Sequence, residues 1–378
     1  MRLTLLSTVL ILFCTVELAV QQTEKVLQHF KEFQKRHERK YKSSGEKEKR
    51  LAHFQNNHKR IEELNAEARK AGRNVTFGVN KFADKSQAEF HARLSRAQPK
   101  NHSDLPIYKP RHPRHQKRTK RENTEVPNHF DLRDVNVDGN PIIGPVKDQE
   151  ECGCCWAFAA TAITETANAL YSKQYSSLSD QEICDCADSD GTPGCVGGDP
   201  RNGLQFVSRH GQTNDYVYPY EEFRANTTGN CDYEGKEYVI KPRSMQVYRF
   251  EENYAESDII ENLYFNHIPT AVYFRVGEKF EWYNSGILQS EDCNKMNPAV
   301  WHSAAIIGYG SGYNDDSDEK IDYWIVRNSW DTDWGEDGYV RIKRGIDWCE
   351  IESHPATAMI QGTSGQSTSS SSSSEEGY

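Results

Sequence analysis

Nine of the ten cysteines lie between Cys152 and Cys349, and the stretch from Thr15 to Glu151 has none. One part of the chain can therefore be held by covalent cross-links, while the other must be held by packing alone. All seven tryptophans fall in the cysteine-bearing part, beginning at Trp156. The charges divide in the same way. Residues 21–121 carry 27 Lys and Arg against 11 Asp and Glu, a net of +16, whereas residues 122–378 carry 18 against 44, a net of −26. The whole-chain charge of −10 hides this contrast and argues against a general nucleic-acid binder. A length of 378 residues with 36 % hydrophobic content can bury a real core, which excludes collagen and a wholly disordered chain.

The N-terminus reads as a secretory signal over residues 1–20. Met1-Arg2-Leu3 precedes an apolar run from Leu5 to about Val20, broken by Thr8, Thr15 and Glu17. That run falls short of the ~20 clean apolar residues of a bilayer span, and no later segment comes nearer. The expected location is the secretory pathway, extracellular or lysosomal, without a membrane anchor. Such a compartment favours disulfides. Loss of Cys14 with the signal leaves nine cysteines, so at least one thiol stays free or pairs between chains.

Residues 21–121 begin with helical spacing: Val26, Leu27, Phe30 and Phe33, then Leu51, Phe54, Ile61 and Leu64. From about Gln98 to Glu125 the pattern dissolves into a Pro-, Lys-, Arg- and His-rich linker containing Arg118-Thr-Lys-Arg121. This stretch is either a solvated charge run or a cleavage site for a basic-residue-specific convertase. Residues 122–362 predict helices at Cys155–Tyr171, Ser179–Cys186, Pro200–His210 and Ser257–Asn266. Strands follow at Thr270–Val276, Ser303–Gly308, Tyr323–Arg327 and Gly338–Lys343. Helices first and strands later give an α+β fold of two subdomains. Residues 363–378 are Ser/Glu-rich and expected to be disordered. Glycosylation sequons occur at Asn74, Asn101 and Asn226.

The densest chemical signal is Gln149-Glu-Glu-Cys152-Gly-Cys154-Cys155-Trp156. Cys152 and Cys155 have C-x-x-C spacing, but the second pair, Cys184-x-Cys186, is too short for the usual zinc ribbon, so no metal is expected. The alternative is nucleophilic catalysis. Cys155 opens a helix, where backbone N–H groups favour a thiolate. His302 begins an apolar strand and Asn328 ends the next, so adjacent strands would bring base and orienting group together. Trp330 and Trp334 would shield the hydrogen bond between them.

These residues resemble the papain-like cysteine proteases of the cathepsin L type. The family's Gln-Gly-x-Cys-Gly-Ser-Cys-Trp is similar to Gln149–Trp156, with His302 and Asn328 lying 147 and 173 residues beyond Cys155. Asn328-Ser-Trp330-Asp-Thr-Asp-Trp334-Gly-Glu-Asp-Gly-Tyr339 and Cys195-Val-Gly197-Gly198 match two further motifs. The first block carries the family's propeptide motif as Glu46, Arg50, Phe54, Asn57, Ile61 and Asn65, whose spacing places all six on one helix face. Gly78, Asn80, Phe82 and Asp84 match the second propeptide motif.

The resemblance implies a papain-like fold, with a helical left subdomain and a β-barrel-like right subdomain, preceded by a helical inhibitory propeptide. It implies a cysteine endopeptidase zymogen working through a thioester without a cofactor. Cys155 would be the nucleophile, His302 its proton partner, and Asn328 the orienter. Gln149 and the Cys155 N–H would form the oxyanion hole. Gly197, Gly198, Trp330 and His354 would contact protein or peptide substrates, and the protein would act as a monomer. Implied disulfides are Cys152–Cys195, Cys186–Cys231 and Cys293–Cys349. Cys154 and Cys184 remain, as a fourth bridge or as two buried thiols. Two positions depart from the pattern, Trp301 before the histidine and Asp331 in place of a glycine. The +16 block would lie through the cleft of the −26 block in reverse. The rival readings are a catalytically silent papain-fold binding or inhibitory protein, and a propeptide that acts alone as an inhibitor.

Overall fold

Apolar residues at helical spacing fold the first block around two helices, α1 (residues 24–36) and α2 (Ser44–Lys70). The computed structural model describes residue 21 and residues 24–361, apart from 96, 100–101, 111–125, 188–193, 222–230, 232–236, 290–292, 294–298 and 314–318. The expected signal segment, the Arg118–Arg121 stretch, Asn101, Asn226 and the Ser/Glu-rich tail lie outside the described residues.

The six motif residues of α2 divide into distinct roles. Phe54 and Ile61 are buried against Phe30, Phe33 and their neighbours. Glu46 closes the helix start by accepting from the Lys42 N–H, while Ser43 accepts from the Glu46 N–H. Arg50, Asn57 and Asn65 reach sideways to the chain that follows. Arg50 donates to the Asp84 carbonyl and pairs with Glu89 at 2.8 Å. Asn57 donates to the carbonyls of Ala83 and Lys85, and Asn65 both donates to and accepts from the Phe77 backbone. The helix is thus a rack that holds β1 (Thr76–Phe77), the Gly78–Asp84 loop and the short α3 (Gln87–His91).

The second block opens with β2 (Phe130–Asp131) and a small hairpin, β3 (Asn136–Val137) and β4 (Asn140–Pro141). Three helices follow: α4 (Cys155–Ser172), α5 (Asp180–Cys186) and α6 (Pro200–His210). Helix α4 is buried on all sides from Cys155 to Ala169, because it lies between α6 and the sheet. Next come β5 (Met245–Arg249), α7 (Ala255–Glu261) and β6 (Thr270–Arg275). The helix expected at Ser257–Asn266 is α7 followed by a π-helical turn over Asn262–Asn266. The chain then forms α8 (Glu278–Glu281), β7 (Tyr283–Ser285), β8 (Ile287–Leu288), β9 (Trp301–Tyr313), β10 (Lys320–Arg327), β11 (Tyr339–Lys343) and β12 (Ala356–Ile360).

The main sheet has the order β5-β12-β6-β9-β10-β11-β8, with β2 also on β9. Its pairings are antiparallel except for β11 with β8. Among the described residues it does not close into the expected barrel-like form, since β5 and β8 are opposite edges of an open sheet. Short β7 pairs instead with β1 of the first block. Four disulfides staple the second block: Cys152–Cys195, Cys154–Cys184, Cys186–Cys231 and Cys293–Cys349. The sulfur atoms of the first two bridges lie within 4.8 Å of one another, but as disulfides they offer no thiolate to a metal. Among the described residues no helix is long and apolar enough to cross a membrane.

Candidate active site

Cys155 is the first residue of α4, fully buried, and the one unpaired cysteine among the described residues. His302 is the second residue of β9, and Asn328 directly follows β10. These strands are antiparallel neighbours with Arg327 opposite Ala305, and β9 packs against α4. His302 Nε2 lies 2.7 Å from Asn328 Oδ1, an acceptor that fixes Nε2 as the protonated nitrogen. The other nitrogen, Nδ1, has no hydrogen-bond partner. Trp330 covers the imidazole at a ring separation of 4.7 Å and meets Trp334 edge-on at 5.2 Å, and both indoles are wholly buried.

Exclusion of water sets the charge state. Burial pushes the Cys155 thiol up to about 11, and the neighbouring Ser303, Trp156 and Ser95 offset it only in part. Burial also pushes His302 down to about 4, against the opposing hydrogen bond to Asn328. Around neutral pH the closed site therefore holds a neutral thiol and a neutral imidazole.

Gln149 stands on the other side of α4's start. Its Oε1 accepts from Ser329 Oγ at 2.7 Å and from Trp330 Nε1 at 3.1 Å, so its amide nitrogen must point the other way. That nitrogen donates to the Cys152 carbonyl at 2.8 Å and to the Arg93 carbonyl at 3.0 Å. The second acceptor belongs to the first block, which runs through the cleft here. Ser95 exchanges both backbone hydrogen bonds with Trp301, and its hydroxyl meets Gly198 O on the opposite wall and Tyr273 Oη. Gly198 must be glycine, because a Cβ there would come within 2.6 Å of the Trp156 indole. Gly197 adopts φ +122°, a conformation open to glycine alone.

Residues 126–359 match the family described as papain family cysteine protease. The chain belongs to that family. Residues 30–90 match the cathepsin propeptide inhibitor domain (I29). The chain is 31 % identical to pro-cathepsin H of Mus musculus over 340 residues, covering 89 % of this chain and 91 % of that one. It is 33 % identical to fruit bromelain of Ananas comosus, covering 86 % and 83 %. Among solved structures, digestive procathepsin L 3 from the Tenebrio molitor larval midgut superposes with a TM-score of 0.71 at 26 % identity, over 89 % of this chain and 99 % of that one. This papain-family protein is a cysteine endopeptidase carrying its propeptide in the same chain.

The propeptide docks through charge and aromatic contact. Lys81 pairs with Asp148 at 2.5 Å, Lys85 with Glu151 at 2.6 Å, Arg60 with Glu278 at 2.9 Å and Arg36 with Asp333 at 2.7 Å. Phe82 and Phe90 meet Trp330 edge-on. Asn80 donates to the Glu281 carbonyl. Asn74, the sequon asparagine within the described residues, uses its Nδ2 to bond the Tyr313 carbonyl, so a glycan there would compete with that contact.

Trp301 stacks on Tyr273 at 5.1 Å and lies 6.4 Å from the His354 ring. Burial holds His354 below the ordinary histidine range, and neighbouring Arg201 adds to this. Asp331 has φ +63°, which explains a family glycine at that position; aspartate tolerates it by accepting the Thr332 N–H. Sequence reasoning missed Arg93, Ser95, Tyr273 and Asp199. Asp199 directly follows the Gly197-Gly198 motif and could have been found from it, whereas Arg93, Ser95 and Tyr273 sit in no motif and reach the cleft through tertiary contact.

Proposed function

We propose that this protein is a secretory-pathway zymogen, extracellular or lysosomal, whose residues 21–121 form the propeptide and residues 122–362 the peptidase. Its matured form hydrolyses peptide bonds through Cys155, His302 and Asn328. Once the propeptide leaves and water enters, the penalty for charge at Cys155 and His302 falls and a thiolate–imidazolium pair forms. The thiolate attacks the substrate carbonyl carbon. The negative charge that develops on oxygen is received by Gln149 Nε2 and the Cys155 N–H. Asn328 holds the ring so that His302 Nδ1 delivers its proton to the leaving amine. The resulting thioester is cleaved by water, from which His302 takes a proton.

The observation that carries this reading is the propeptide carbonyl of Arg93 on Gln149 Nε2, beside a buried unpaired thiol. A donor meant for a developing oxyanion is capped by a carbonyl of the same chain. The matching test labels acid-matured protein with an epoxide thiol-protease probe and maps the adduct. Labelling at Cys155 is expected, and its absence in correctly processed protein would refute the reading. That outcome would leave a silent papain fold.

A further inference from the structure

Two carboxylates flank Gln149 in sequence, Asp148 before it and Glu151 two residues after it. In the zymogen each is paired with a cation of the propeptide. Lys81 Nζ lies 2.5 Å from Asp148 Oδ2, and Lys85 Nζ lies 2.6 Å from Glu151 Oε1. Among the described residues neither carboxylate has an ion pair with a cation of the peptidase. Lys147, next in sequence, is turned away into Glu165 and Asp180 at 2.7 and 2.8 Å. Asp148 keeps one contact within the peptidase, the Glu150 N–H on Oδ1, which leaves Oδ2 to Lys81 alone.

The residue whose carbonyl caps Gln149 brings a third cation. Arg93 is only 6 % exposed, and its guanidinium lies 4.4 Å from the centroid of the Phe82 ring. It makes no ion pair of its own among the described residues. Burial opposes its charge, while the charges of Asp148 and then Glu151 favour it. The cleft thus accommodates a nearly buried guanidinium in the field of these two carboxylates.

The pair lies on the leaving-group side of the site. Asp148 pairs through its backbone with Trp330, the indole that covers His302, and His302 is the group that serves the leaving amine. Ser95, two residues beyond Arg93, has already reached Gly198 on the other wall. When the propeptide departs, Lys81, Lys85 and Arg93 leave together. Asp148 Oδ2 and Glu151 Oε1 then lose the only donors they have among the described residues, beside the place that substrate enters.

We propose that Asp148 and Glu151 make the leaving-group side of the cleft selective for substrates carrying a cationic side chain, Arg or Lys. The proposal rests on the catalytic reading above. An acidic wall beside a low-dielectric cleft concentrates and orients cations, and a charge-assisted hydrogen bond is stronger than a neutral one. A glutamine of similar reach would bring hydrogen bonds without charge. A glutamate would meet like charge and be repelled.

The test is peptide hydrolysis by enzyme matured from the full chain, varying each residue on the carboxyl side of the scissile bond among Arg, Lys, Gln, Leu and Glu. At one position Arg or Lys should exceed Gln in kcat/KM by about fivefold or more at low salt, with Glu below Gln, and the preference should shrink as salt rises. Asp148→Asn with Glu151→Gln keeps an acceptor for the Glu150 N–H and should bring that preference within about twofold. No Arg or Lys preference at any position, or one that the double variant leaves intact, overturns the proposal. Should the double variant fail to mature, Glu151→Gln alone decides, since that side chain is half exposed. A preference reduced by about twofold or more then supports the proposal, and an unchanged one overturns it. An enzyme that labels at Cys155 and cleaves without basic preference defeats this inference alone. One that neither labels nor cleaves defeats the reading beneath it.

Discussion

The propeptide and the peptidase are held together in opposite ways. The peptidase has four disulfides and a sheet packed against a helix that is buried from Cys155 to Ala169, so its order is its own. The propeptide has no cysteine, and two of its largest aromatic side chains, Phe82 and Phe90, find their partner in Trp330 of the peptidase. A segment that completes its core on another domain's surface draws part of its order from docking. That is the physical basis for an inhibitor that can be removed without disturbing what it covers.

Four experiments would break or sharpen this contrast, taken from the largest expected effect down. Gln149→Ala should lower kcat of the matured enzyme by about 10²–10³-fold with a smaller change in KM, measured on a fluorogenic peptide. In the zymogen the same change removes the bond to the Arg93 carbonyl, so propeptide and peptidase should both lose from one substitution.

Cys154→Ala with Cys184→Ala should act on the peptidase alone. The bridge spans a sequence separation of 30, and loss of such a closure costs about 3–4 kcal/mol in the chain-entropy description. Scanning calorimetry should then show Tm lower by roughly 10 °C. An unchanged Tm, or alkylated Cys154 in a non-reduced peptide map of the wild type, would contradict a stabilising bridge.

The third experiment concerns pH. His302 sits at about 4 in the closed site against an ordinary 6.5, so in a Cys155→Ser zymogen, where no thiolate shares the proton, the open form binds more protons between those values. The closed form is therefore fully favoured above about pH 6.5 and loses that advantage as pH falls toward 4, by about 3 kcal/mol at most. Glu89, drawn down to about 2 by Arg50 and Ser86 against an opposing burial effect, stays ionised across this window, so the propeptide's internal pair persists while its hold on the cleft weakens. Hydrogen exchange on a Cys155→Ser zymogen should show residues 93–95 opening before α2. Simultaneous exchange of both would remove the distinction.

The smallest effect belongs to the exposed docking pairs. Arg60→Ala should speed zymogen conversion no more than a few-fold, and less at high salt, since such pairs are worth about 0–1 kcal/mol.

Much of this arrangement was legible in the sequence because local rules express it. Helix α6 begins and ends where Pro200 and His210 suggest, and α4 begins at Cys155 as expected from the apolar run. The strand pair carrying His302 and Asn328 was readable from two adjacent apolar runs. Strands β5 and β12 were overlooked. Each has five residues, β5 at the edge of the sheet and β12 beside it, so pairing partners define them more than composition does. The motif residues of α2 were readable as one face, but not their division into core and rack. That depends on where the returning chain passes. The Arg93 carbonyl had no signal at all, because every residue but proline has the same backbone and only its position matters.

The pairing of β1 with β7 has a consequence for the molecule after maturation. Cleavage turns β7 from a paired strand into a bare edge. Such edges invite other chains to add to them. This one spans only Tyr283–Ser285 and turns at Gly286, where φ is +89°. The newly bared backbone is too short to template a foreign strand, so the enzyme can shed its companion without becoming a seed for aggregation.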